Sequence, residues 1–160
     1  MNNTTEPTPV PITVWHVPTA RPGETMSLPL AQRLIVAYTR GRRLILDLTI
    51  GEQLARSAHA LHRRHARHAR HASVKGPHRA ALIVTAWPLD GADPTTVMAG
   101  CQGRLMSAGC LAVVQRGVDY TVNQTMIAAA HDAGLTYRDH IVGVHADLRV
   151  HADVLVFVKP

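Results

Sequence analysis

Short apolar runs alternate with stretches of helical period along most of this chain, the pattern of an α/β domain built on a buried sheet. Residues 44–48, Leu-Ile-Leu-Asp-Leu, are interrupted only by Asp47. Such a run fits a parallel strand covered on both faces, with one polar group near its carboxyl end. Residues 80–85 predict a second buried strand, and residues 110–115 a third, led in by turn-forming residues 106–109. Residues 123–133 set Met126, Ala129, Ala130 and Ala133 at helical spacing, and Gly134 suits the stop that follows. The chain closes on two strand-like runs, 137–145 and 154–158. They are joined through Asp147, Leu148 and Arg149, which predicts an antiparallel hairpin.

In open α/β sheets ligands bind where a strand's carboxyl end meets the next helix, and glycine there lets the backbone approach the ligand. The turn after the first run reads Thr49, Ile50, Gly51, Glu52, Gln53, with a single glycine. Alone, that is also what an ordinary strand-to-helix connection looks like.

The order of several short motifs narrows the choice. Val14 and Trp15 come first, then a helical stretch over 28–40 containing Ala37, Tyr38 and Thr39, then Leu46 and Asp47 with Gly51. Leu82, Ile83, Val84 and Thr85 lead into Ala86, Trp87, Pro88 and Leu89. Residues 105–114, the entry to the third strand, are followed by Ala129–Ala130, Gly134–Leu135, His140 to Val142, His151, Val154 to Phe157 and Lys159. In this order the chain resembles, over residues 12–160, the catalytic domain of bacterial DNA amino-methyltransferases. These use S-adenosylmethionine to methylate exocyclic amines of adenine or cytosine. The resemblance implies a Rossmann-like class I methyltransferase sheet with flanking helices. It implies that Asp47 and Gly51 form the cofactor loop, with Asp47 binding the methionine ammonium, and that residues 86–89 fall on the catalytic tetrapeptide.

The departures from that family carry as much information. The tetrapeptide holds the target amine through its first side chain and a backbone carbonyl while its aromatic stacks on the flipped base. Ala86 has no polar atom and Leu89 no ring, so Trp87 and Pro88 are what remains of the catalytic motif. In the cofactor loop Glu52 places negative charge near the methionine carboxylate. The family also has two strands between the cofactor loop and the catalytic strand, the first ending in an acid that binds the ribose. Residues 52–79 show no strand-like run and no acid after Glu52. The expectation is a sheet of about five strands, ordered 1-4-5-7-6 in the family's numbering with the last strand antiparallel. Its first strand would lie near an edge, covered by residues 12–17 or by a second copy of the chain.

The segment in place of those strands repeats a basic residue, histidine and alanine, with His59, His62, His65, His68 and His71 three apart. Read as a helix over 54–72, each step of three turns about 300°. The rings then spiral around the surface rather than sharing a face, and no metal site is expected. Leu54, Ala58 and Leu61 would dock the start of that helix. Arg56, Arg63, Arg64, Arg67, Arg70, Lys75 and Arg79 would form a basic surface for DNA or RNA, in keeping with a formal charge of +6 and a pI near 10.1. A solvated, purely structural helix accounts for the same pattern.

With 160 residues, the chain fits one domain at 12–160 after a flexible tail at 1–11 rich in Thr, Pro and Asn. It contains no run long enough to span a bilayer and no signal-peptide pattern, so a cytoplasmic protein without membrane contact is expected. Cys101 and Cys110 lack metal-like spacing and read as buried thiols, and His131, His140, His145 and His151 as structural histidines. Two functions remain open. One is a catalytically impaired methyltransferase-like protein, needing no cofactor, that binds nucleic acid, a protein or a second copy through its basic surface. The other is a small active methyltransferase with an atypical site, holding S-adenosylmethionine if the pocket is retained.

Overall fold

The structure, a computed structural model, describes residues 9–67, 79–89 and 91–160. Its centre is β2 (Leu44–Leu48), whose five residues are all buried. Its apolar side chains alternate between the faces, Ile45 entering one core and Leu44, Leu46 and Leu48 the other. Two helices cover the first face. In α1 (Leu28–Tyr38) the buried positions Leu30, Ala31, Leu34 and Ile35 recur at helical spacing; Ser27 caps its start by accepting from the Leu30 amide, and a proline lies in the first turn. Beside it, α2 (Gln53–Ala60) contributes Leu54 and Ala58 to the same core.

Among the described residues the sheet has seven strands, in the order β1-β6-β7-β5-β4-β2-β3. Here β1 is Ile12–His16, β3 Arg64–Arg67, β4 Ala80–Trp87, β5 Leu105–Gln115, β6 Thr136–Val144 and β7 Val150–Val158. Only β7 runs antiparallel to its neighbours, forming the expected hairpin with β6. The opposite face is covered by α3 (Pro94–Arg104), capped by the Asp93 carboxylate, and α4 (Tyr120–Asp132), capped by Asp119. Met98, Cys101, Met126 and Ala130 pack there on Ile83, Leu111, Leu155 and Phe157. This is the Rossmann-like methyltransferase arrangement, and β2-β4-β5-β7-β6 reproduces the expected 1-4-5-7-6 order.

Three expectations are corrected. The strand count rises from five to seven because a strand is added at each side of that order. The helix over 54–72 stops at Ala60; His62 takes a positive φ of 55°, and residues 64–67 continue as β3, parallel to β2. Past Leu61 the triplet repeat offers no apolar stripe to bury, whereas β2 has an open edge of backbone donors and acceptors to satisfy. β2, the expected first strand of that order, lies one strand in from the edge, which is β3 with exposed Arg64 and Arg67; charge there discourages pairing with another sheet. Residues 12–16 lie at the other edge, paired in parallel with β6. Residues 68–72 of the expected helix, and residues 1–8 of the expected tail, lie outside the described residues.

Candidate functional site

Two features meet at the carboxyl ends of the parallel strands. The first is the loop after β2, where Gly51 has φ 104°, a backbone conformation that strains any residue with a side chain and so favours glycine. Asp47, fully buried, points into this loop. One carboxylate oxygen accepts from the Thr49 amide at 2.9 Å and the Thr49 hydroxyl at 2.6 Å. The other accepts from His65 Nε2 at 2.8 Å and Arg67 Nη2 at 3.2 Å. A carboxylate offers about four lone-pair sites, so these four donors saturate it. Burial pushes the Asp47 pKa up, but the bonds from His65 and Thr49 and the charge of Arg67 outweigh that and leave it below its ordinary value. Arg67 also donates to the Gly51 carbonyl and lies 3.2 Å from Glu52.

The donors come from β3, the strand absent from the expected topology. Pairing Ile45 with His65 and Asp47 with Arg67 brings both side chains to Asp47. The expected cofactor residues Asp47 and Gly51 are thus together, but a ligand ammonium would have to displace one of the protein's own donors. As it stands, the seat does not fit the amino end of S-adenosylmethionine.

The second feature is a cleft of about 540 Å³ at the point where strand order reverses, between the ends of β2, β4 and β5. Its volume lies in the range of small-molecule sites. Ile50, Trp87, Val114, Val118 and Val122 give it apolar walls. Trp87 and Pro88, the expected remnant of the catalytic motif, line it across a cis peptide, next to Ala86, which brings no polar side chain. Thr25 accepts from the Ile50 amide at 2.8 Å and joins the segment before α1 to the β2 loop. Arg116 at the mouth donates to the Arg21 and Glu24 carbonyls.

A polar chain missed by sequence reasoning runs beneath this cleft. Gln115 at the end of β5 donates from Nε2 to Asn123 Oδ1 at 2.6 Å, and Asn123 Nδ2 donates to Asp153 at 2.9 Å. His140 bonds the other oxygen of Asp153, which is fully buried. The one available signal was Asp153 itself, an acid just before a continuous apolar run.

The expected nucleic-acid residues are spread out. Arg56 and Arg64 are exposed. Arg63 turns inward to the Thr39 hydroxyl and the Leu61 carbonyl, Arg67 to Asp47, and Arg79 to the Gly103 carbonyl. Arg70 and Lys75 lie outside the described residues. Among the described residues no group of three or more His, Cys, Asp or Glu is placed to hold a metal ion, and no helix is long and apolar enough to cross a membrane.

No family's sequence pattern matches the chain, and no protein of curated function matches it in sequence. Solved structures do match in fold. A TehB-like S-adenosylmethionine-dependent methyltransferase from Corynebacterium glutamicum is 16% identical with a TM-score of 0.55, over 81% of this chain and 87% of that one. The N-methyltransferase NodS from Bradyrhizobium japonicum, in complex with S-adenosyl-L-homocysteine, is 14% identical with a TM-score of 0.56, over 83% and 85%. TrmN from Thermus thermophilus is 15% identical with a TM-score of 0.58, over 85% of this chain and 50% of its own. The strand order, the helices on both faces and these likenesses together give the chain the fold of the S-adenosylmethionine-dependent class I methyltransferases.

Proposed function

We propose that this chain is a methyltransferase-fold binding protein whose ordinary cofactor seat is closed by its own side chains, leaving methyl transfer lost or strongly impaired. The observation that carries this reading is the saturated carboxylate of Asp47. Two more support it: β3 ends in Arg67 where the family resemblance implies an acid for the ribose, and Ala86 and Leu89 replace the amine-binding and stacking members of the tetrapeptide. The test is calorimetric titration with S-adenosylmethionine and S-adenosylhomocysteine. No heat at millimolar ligand is expected of the wild type; micromolar affinity would overturn the closed seat. Nucleic acid or a protein partner at the basic side is part of this reading, resting on exposed Arg56 and Arg64. Salt-sensitive DNA binding weakened by their replacement with alanine is expected, and no binding at low salt would remove it.

One observation favours the alternative, an active small methyltransferase. The Arg67 side chain is 38% exposed, so it can leave Asp47 toward solvent, and the cleft beside Ile50 is of ligand size. On that reading S-adenosylmethionine is the cofactor and Asp47 binds its ammonium once Arg67 has moved. Transfer of labelled methyl groups to DNA or a small amine, lost in Asp47→Ala, would establish it.

A further inference from the structure

The hydrogen-bond chain beneath the cleft has a direction, and that direction determines what the cleft recognises. A carboxylate only accepts, so Asn123 must turn its Nδ2 toward Asp153 and its Oδ1 toward Gln115. Gln115 must then spend its Nε2 on Asn123, which leaves its carbonyl oxygen. Gln115 is 5% exposed and lines the cleft. Its Oε1 has no hydrogen-bond partner among the described residues, and it is not among the fully buried atoms that lack one, so it opens onto the cleft. Trp87 and Gln115 are register partners on neighbouring strands and project from the same face.

Of the other polar lining side chains, Glu24 and Asp119 are carboxylates, Thr25 carries a hydroxyl, and Arg116 donates to the Arg21 and Glu24 carbonyls through Nη2. The cleft therefore pairs an apolar wall with a buried acceptor, and sets two carboxylates against one guanidinium.

We propose that this cleft is a binding site for a small protonated amine with an apolar or aromatic body. The body lies against Trp87 and the valines, the ammonium donates to Gln115 Oε1, and Glu24 and Asp119 supply negative charge at the mouth. Asn123, Asp153 and His140 act as positioning residues that keep the Gln115 amide from turning its donor end to the ligand. The site rests on the reading of this cleft as the working one, and not on whether the cofactor seat opens.

The test is titration of the full chain, without cofactor, against 2-phenylethylamine, 2-phenylethanol and 3-phenylpropionate by calorimetry. The amine should bind about tenfold or more tighter than the carboxylate, the size of effect that hydrogen bonds to a charged group carry. Gln115→Leu and Glu24→Gln should each remove most of that preference while leaving 2-phenylethanol unaffected. Equal or stronger binding of the carboxylate, no amine binding up to millimolar, or an unchanged preference in Gln115→Leu would overturn the proposal. Should Gln115→Leu not fold, as judged by circular dichroism, an unchanged preference in Glu24→Gln would do so. Because cofactor is absent, failure here leaves the closed seat standing, and binding of S-adenosylmethionine would not by itself argue against an amine site.

Discussion

Asp47 gathers four hydrogen bonds on one fully buried carboxylate. Its folded pKa is depressed, so its contribution to stability is complete above the ordinary carboxyl value of 3.8 and is lost as pH falls through the lower folded value. Asp47→Asn should lower stability by about 3 kcal/mol at neutral pH, because it strips a buried partner from His65 and Arg67. The loss should shrink toward low pH, as followed by urea unfolding from neutral pH down to about pH 3. A constant difference across that range would show that the charge contributes nothing. The two thiols give a second expectation. Burial pushes the Cys101 pKa up to about 12, and Cys110 is also raised, chiefly by burial. Since the thiolate is the reacting form, neither should react with a disulfide reagent at pH 8 until the protein unfolds. Asp47 was legible as the one polar residue of an apolar run. Its donors His65 and Arg67 were not, because they lie 18 and 20 positions away and meet it only through strand pairing.

Elements differ in how directly their residues specify them. β5 depends on a close approach at Gly109, where an added Cβ would stand 2.8 Å from the Met106 carbonyl oxygen and 2.9 Å from that of Ala80. Both obstacles are backbone and cannot swing aside. Gly109→Ala should therefore cost about 1–3 kcal/mol, measured by chemical unfolding. The cap of α3 is a smaller matter: Asp93→Ala should cost about 1 kcal/mol by removing the acceptor for the Thr96 amide. Strands β2 and β4, residues 110–115 of β5 and the β6–β7 hairpin were readable as apolar runs bounded by turn residues, whereas residues 106–109, expected as a turn, lie inside β5. β3 was not, since Arg-His-Ala-Arg carries no strand signal and local preference pointed to a continued helix. The open edge of β2 settled the matter, an effect no local window contains.

For the whole molecule, one sheet serves both helical layers, so the two cores are not independent. Phe157 is fully buried in the layer under α3 and α4, in ring contact with Tyr137 at 5.6 Å. Phe157→Ala should cost about 3–5 kcal/mol. If the sheet couples the layers, circular dichroism and tryptophan fluorescence should report the same lowered midpoint. Separate midpoints would mean that the layers unfold independently. Trp15 and Trp87 make this readable, since they pack against opposite cores.

Hydrophobic periodicity by itself determined the fold class, the succession of buried strands and helices, the final hairpin and the place of the loop after β2. These follow from burial patterns that recur over a few residues and survive in any packed arrangement. Only the tertiary structure decided that β2 is flanked by β3, that His65 and Arg67 occupy the carboxylate expected to bind a ligand, and that Gln115, Asn123, Asp153 and His140 form one chain under the cleft. Those facts depend on which strands lie side by side and in what register. Sheet order and register are set by satisfying edges and filling both cores at once, so they are properties of the assembled chain rather than of any segment.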